Sequence, residues 1–202
     1  MLLYTLMIIV ALLLGACWTL RKRYMAVSKE RDLAQEEART EFLTGVSNLR
    51  GFTETVSLLL SQRARLLQDK KPVLPGVIVR VDVDRFKQVN DNHGHDAGDR
   101  LLCRVAKTFS ANIRASDVFA RTGGDEFSLY LSNTDMVTAI PLLERLVKED
   151  FKSEEGQATF SIGITLIDPE DTEIRFDASM KQADSACYWA KKWGRDRVVH
   201  YT

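Results

Sequence analysis

From Leu2 to Leu20 the chain carries no charged residue, and Leu, Ile, Val and Ala dominate. These 19 residues, at a helical rise of about 1.5 Å each, nearly match the roughly 30 Å hydrocarbon layer of a bilayer. Trp18 stands near one end, where an interfacial anchor sits, and Arg21, Lys22 and Arg23 follow at once. A secretory signal would carry its basic residues before the apolar run. The pattern predicts a single membrane anchor with a basic cytoplasmic flank over residues 1–23, its N-terminal side outside.

Two rival readings are weaker. A buried core helix would rarely lack a polar face over so many turns. Leu14-Gly15-Ala16-Cys17 is similar to a lipoprotein cleavage box, but no basic residues precede it. Residues 24–41 are a different material, with eight charges in eighteen positions and neither Gly nor Pro. They suit a solvated helix, either a spacer or a dimerising stalk seamed by Val27, Ala34 and Ala38. Eighteen residues are too few for a sensory domain, so none is expected between anchor and folded unit.

Residues 42–202 are expected to form that unit. Helical spacing marks Phe52, Val56, Leu59, Leu60 and Leu67, and again Leu101, Leu102, Val105, Ala106, Phe109 and Ile113. Between them Val77–Val83 reads as a strand, introduced by Pro72, Pro75 and Gly76. Val118–Arg121, Gly123-Gly124 and the alternation at Phe127, Leu129 and Leu131 predict a hairpin, its glycines supplying positive φ at the turn. A helix over Met136–Lys148, a strand over Ala158–Leu166, a helix faced by Ala183, Ala186, Cys187 and Ala190, and a strand over Arg197–Tyr201 complete the pattern. The mixture predicts α+β with a mostly antiparallel sheet wrapped by helices.

Composition changes this picture little. The 28 basic and 28 acidic residues cancel, which excludes a basic coat for DNA or RNA. Three scattered cysteines with no CxxC argue against both a disulfide framework and a zinc site.

The chemistry lies in acids. Asp82 and Asp84 stand two apart at a strand end, hence on one face. Paired carboxylates repel unless a cation bridges them, and hard oxygen ligands suit Mg²⁺ (or Mn²⁺). Asp125-Glu126 after the two glycines would bring three or four carboxylates together if the hairpin lay beside Asp82. Alone, the second pair is also compatible with exposed acids at an ordinary turn. The segment Phe86–Asp99 is dense in polar side chains and has no hydrophobic stripe. In it Lys87 could hold phosphate, and Asn90 with Asp99 present an amide and a carboxylate suited to a guanine edge. His93 and His95 each read most simply as loop or capping residues. Lys191 and Arg195, near Gly194, are either ordinary helix-terminal cations or phosphate clamps.

Arg121-Thr122-Gly123-Gly124-Asp125-Glu126-Phe127 resembles the signature of the GGDEF family of diguanylate cyclases. Asp82-Val83-Asp84-Arg85-Phe86-Lys87, Asn90-Asp91, Gly94-His95, Gly98-Asp99, Ser161-Ile162-Gly163, Ala183-Asp184 and Lys191 with Gly194-Arg195 follow the family's other blocks in order. The resemblance covers residues 41–202. It implies a fold like the palm of nucleotide cyclases and polymerases. It also implies one GTP per subunit and a homodimer that makes cyclic di-GMP and two pyrophosphates.

By position the resemblance places Asp82, the Val83 carbonyl, Asp125 and Glu126 at Mg²⁺, with Glu126 a base for the 3′-hydroxyl and Arg121 a charge stabiliser. It places Asn90 and Asp99 at guanine, and Phe86, Lys87, His95, Gly123, Gly124, Lys191 and Arg195 elsewhere around the nucleotide. Arg114-Ala115-Ser116-Asp117 is an RxxD which, at this distance from Gly123, implies a product-inhibition site on Arg114 and Asp117. The chain departs from the family at Glu41, usually Asp, at Leu49, usually Arg, and at Cys187, usually Leu. The first two touch the coupling of stalk to domain.

The expectation is thus a single-pass protein of the bacterial inner membrane with a cytoplasmic cyclase domain. A nucleotide receptor without catalysis, a membrane adaptor built on the stalk, and a cyclase of another nucleotide are the alternatives.

Overall fold

In the computed structural model, residues 2–148, 151–153, 156–167 and 173–201 are described. The chain divides into two compact units, 1–38 and 39–202. The first is a single helix, α1 (Leu2–Glu37), running unbroken through the apolar and charged stretches. Neither stretch contains proline, so nothing interrupts its hydrogen-bond ladder. Lys22 Nζ lies 4.0 Å from the centre of the Trp18 ring. The expected membrane span falls largely on side chains outside the described residues (2–13 and 16). Among the described residues no helix is long and apolar enough to cross a membrane.

The second unit is α+β. A two-residue strand β1 (Ser47–Asn48) leads into α2 (Leu49–Gln68), whose first turn is capped by the Asn48 side chain accepting from the Gly51 amide at 2.9 Å. Then come β2 (Gly76–Val83), α3 (Phe86–His93), α4 (His95–Asn112), β3 (Val118–Arg121), β4 (Glu126–Leu131) and α5 (Met136–Lys148). The short pair β5 (Lys152–Ser153) and β6 (Gly156–Gln157) follows, then β7 (Phe160–Ile167), α6 (Glu173–Lys192) and β8 (Arg197–His200). The main sheet runs β1-β3-β4-β2-β7-β8. Its three inner pairings are antiparallel and the two outer ones parallel.

Two features differ from the sequence pattern. The polar stretch before Asp99 is helical: α3 and α4 meet at Gly94, whose φ of 84° only glycine adopts readily. No residue of α3 is fully buried, so periodicity had no apolar stripe to register. The two-residue strands are likewise too short to show a period.

β2 is the central strand, and its parity sorts the molecule. Val77, Val79, Val81 and Val83 point into a core with Leu102, Val105 and Phe109 of α4 and Leu143 and Leu146 of α5. Ile78 faces the other way, into a core with Phe52, Val56 and Leu60 of α2, and Ala183 of α6. Arg80 and Asp82 share that second parity, which turns them toward α6. The helix comes unusually close because β7 carries Gly163: a Cβ there would lie 2.1 Å from Ala183 O and Cys187 N.

Candidate functional site

Antiparallel pairing brings the two acidic motifs together. Asp82 on β2 is the Cα partner of Glu126 on β4, and the Val83 amide donates to Asp125 O at 3.0 Å. The turn between β3 and β4 closes through the Thr122 and Gly123 amides, both donating to Glu126 O, at 2.9 and 3.2 Å. Contrary to expectation, neither glycine of the turn has positive φ; among the described glycines only Gly45, Gly94 and Gly194 do. At Gly123 the crowding is against the Glu126 side chain instead. A Cβ there would sit 2.7 Å from Glu126 Oε2.

A cavity of about 360–370 Å³ opens on each side of this strand end. One is lined by Arg80, Asp82, Glu126, Asp184, Tyr188 and Lys191, the other by Asp84, Arg85, Gln88, His93 and Arg195. Asp82 is 6% exposed. Burial pushes its carboxyl up to about 6; a hydrogen bond from Lys191 Nζ at 2.5 Å opposes this, and the negative charges of Asp125 and Glu126 add to it. Lys191 is itself raised: burial works against its charge, but Asp82 outweighs burial. Burial also pushes the neighbouring Cys187 thiol up to about 12, with Asp82 adding, so this cysteine is a packed, unreactive group.

The expected convergence of three or four carboxylates is not reached. Among the described residues no group of three or more His, Cys, Asp or Glu side chains is placed to hold a metal. The physical reason is that three of the four acids have their own base or donors. Asp82 has Lys191, and Glu126 has Arg80 at 3.0 Å. Asp84 accepts from Ser161 Oγ, Thr159 Oγ1 and the Asp196 amide, with Arg195 at 3.8 Å. The donor set still fits a hard divalent cation. Asp82 and Glu126 are oxygen donors on paired strands, and the like charge around Asp82 is the stress a cation would relieve.

The polar helices form a second part of the site. Phe86 and Asn90 of α3 meet α4 at Gly98, where a Cβ would lie 1.9 Å from Asn90 Oδ1. That oxygen is buried with no hydrogen-bond partner among the described residues, a polar group prepared for a ligand. Asp99 follows on α4, exposed, as are Lys87 and His95.

Other expected site residues are engaged elsewhere. Arg121 donates from Nε and Nη2 to Gly124 O, and from Nη1 to Glu41 Oε1 at 3.1 Å, so it braces the turn. Lys191 holds Asp82 and Arg195 lies by Asp84. Arg114 and Asp117 line a separate cavity of about 730 Å³ with Thr55, Leu59 and Ser110. Asp117 accepts from the Arg114 amide at 2.9 Å and the Ser132 amide at 3.0 Å, while the Arg114 side chain is exposed. Sequence reasoning missed Arg80. A charge between Val79 and Val81, two positions from Asp82, was the available signal.

The family model described as "Diguanylate cyclase, GGDEF domain" matches residues 38–197. The diguanylate cyclase DgcM of Escherichia coli is 34% identical over 166 residues, covering 82% of this chain and 39% of that protein. The diguanylate cyclase SiaD of Pseudomonas aeruginosa, solved with its activator SiaC, is 31% identical with a TM-score of 0.68, covering 93% of this chain and 71% of that one. The coiled coil and GGDEF domain of DgcB from Caulobacter crescentus, solved with c-di-GMP, superposes with a TM-score of 0.76 over 88% of this chain and 93% of its own. At 22% identity that likeness concerns the fold alone. The chain spans two fifths or less of the length of curated relatives such as DgcM and DgcE.

Proposed function

The chain belongs to the GGDEF family of diguanylate cyclases, and from that premise we propose that it condenses two GTP into cyclic di-GMP and two pyrophosphates. The observation that carries the reading is the register pairing of Asp82 with Glu126 beside the Gly123-Gly124 turn. A receptor without catalysis would not need both acids intact.

The roles follow from placement. Asp82, the Val83 carbonyl, Asp125 and Glu126 would hold Mg²⁺ or Mn²⁺. When bound, the cation supplies charge neutralisation at the phosphates and a lowered pKa at the attacking hydroxyl. Glu126 takes the proton of the 3′-hydroxyl as it attacks the α-phosphorus of the second GTP. Asn90 Oδ1 and Asp99 accept from the guanine edge in the crotch of α3 and α4. Lys87, Lys191 and Arg195 hold phosphate oxygens, and Arg121 fixes the turn from behind. The product is twofold symmetric, so two copies must face each other.

Two further elements belong to the proposal. Arg114 and Asp117 bind cyclic di-GMP and restrain the enzyme, Arg114 by a bidentate grip on phosphate or guanine. The charge-free residues 2–20 with the basic flank Arg21–Arg23 tether the chain to the bacterial inner membrane, catalytic unit inside. Confinement there raises the effective concentration at which copies meet.

The test is to incubate the full chain in detergent with GTP and Mg²⁺ and assay cyclic di-GMP. Turnover that is lost in Asp125→Ala supports the reading. A wild type that makes no cyclic di-GMP, or full activity in the variant, refutes it. Resistance to alkaline extraction from membranes tests the tether.

A further inference from the structure

Arg80 interrupts the apolar run of β2 on the parity that faces α6. Its side chain is 13% exposed. All three of its nitrogens are used. Nε donates to Asp184 Oδ1 of α6 at 2.5 Å. Nη1 donates to Thr122 Oγ1 at 2.6 Å and to Ser128 Oγ at 2.5 Å, and Nη2 to Glu126 Oε2 at 3.0 Å. The Thr122 and Ser128 hydroxyls are also bonded to each other, at 3.0 Å.

Packing alone does not call for a guanidinium here, because burying one is costly unless its donors are satisfied. What it provides is a planar fork reaching three elements at once. Thr122 and Glu126 are the two residues that bracket Gly123-Gly124-Asp125. One group therefore ties both ends of the turn to β2 and, through Asp184, to the helix that also carries Lys191. Among these partners Glu126 is the acid proposed to act on the 3′-hydroxyl, and its carboxylate is aimed by the same fork.

We infer that Arg80 is a positioning residue that fixes the Glu126 carboxylate and the Gly123-Gly124 turn against α6, setting turnover rather than nucleotide binding. Its effect on turnover rests on the cyclase reading; the pinning of the turn does not. Misplacement of a reacting group by about 1 Å can cost on the order of 100-fold in rate.

The experiment uses the full chain in detergent as wild type, Arg80→Met, Arg80→Lys and Thr122→Val. Two readouts are taken: amide hydrogen exchange in residues 121–126 against α2, and kcat and KM for GTP. In Arg80→Met the turn should exchange about tenfold faster with α2 unchanged, and kcat should fall at least about 30-fold with KM within about threefold. Arg80→Lys should recover part of kcat, since an ammonium can reach Glu126 but cannot fork to Thr122 and Asp184. Thr122→Val should show a smaller change in the same direction, and it decides the matter if Arg80→Met does not fold. Unchanged exchange at the turn, or a kcat equal to wild type in the folded variants, overturns the inference. A wild type without cyclase activity ends the cyclase reading, and the exchange data then decide the pinning alone.

Discussion

Glu41 and Arg121, 80 positions apart in sequence, share an ion pair of 3.1 Å. The same Glu41 carboxylate accepts from the Thr44 hydroxyl at 2.6 Å and from the Thr44 amide at 2.9 Å. Arg121 in turn holds the carbonyl of Gly124. The first residues of the folded unit are thus bonded to the Gly123-Gly124 turn.

That pair has a pH signature. Burial works against the Glu41 carboxylate, but the bonds from Thr44 and Leu43 and the charge of Arg121 outweigh it, and its pKa is lowered. A depressed carboxyl stabilises the fold fully above its unfolded value near 4.5, and the stability is lost as pH falls through the folded value. Glu41→Gln should therefore cost about 1 kcal/mol at neutral pH. The deficit should shrink under acid. Urea titrations of both proteins at pH 7 and in steps below 4.5 check this; a deficit independent of pH would contradict it.

Asp82 has the opposite sign. Its raised carboxyl favours the fold at low pH, and that contribution is lost as pH rises from its unfolded value near 3.8 to about 6. Asp82→Asn should raise the stability of the cation-free protein at pH 7.5 by about 2 kcal/mol while abolishing turnover. The gain should vanish near pH 4. Denaturation midpoints of the two proteins in chelator measure it.

The same group governs cation binding. A protonated Asp82 must lose its proton to become a ligand, so Mn²⁺ affinity should rise as pH increases toward about 6 and level off above it. Calorimetric Mn²⁺ titrations at pH 5, 6 and 7.5 show whether it does. An affinity flat across that range would remove Asp82 from the ligand set.

Gly98→Ala places a methyl group where Asn90 Oδ1 now lies. The Asn90 amide must swing away or the two helices part, and GTP should bind about tenfold more weakly, with a smaller effect on overall stability because α3 buries no residue fully. Equilibrium binding of GTP to the variant tests this, and undiminished affinity would count against a base site there.

Arg114 and Asp117 should separate cleanly. The Arg114 side chain is exposed, so Arg114→Ala should relieve inhibition by cyclic di-GMP without lowering the melting temperature. Asp117→Ala removes the acceptor of the Arg114 and Ser132 amides and should cost about 1–2 kcal/mol as well. Inhibition that survives Arg114→Ala unchanged would sink the assignment.

Long periodic segments were legible without coordinates. Val77–Val83, Leu101–Phe109 and Met136–Lys148 show their element type through spacing alone, and the acids at 82 and 125–126 were visible as a chemical pair. What escaped has physical reasons. A helix such as α3, with no fully buried residue, leaves no stripe. A two-residue strand such as Ser47–Asn48 has no period. The pairing of Lys191 with Asp82 is a contact across 109 positions that no local pattern encodes. Arg80 looks in the sequence like a lone charge in a strand, and only the register of β4 and the approach of α6 reveal its partners.

The Lys191–Asp82 bond gives this carboxylate a cation of its own before any ligand arrives. A cation that takes Asp82 must evict the ammonium, and an evicted ammonium is a new binding point for a polyanion. Triphosphate that captures Lys191 likewise exposes Asp82 to a cation. Each ligand therefore lowers the barrier to the other, and by reciprocity the two affinities must strengthen by the same factor. On the proposed function, cation and nucleotide therefore bind cooperatively, and neither a bare nucleotide nor a bare metal ion alone completes the site.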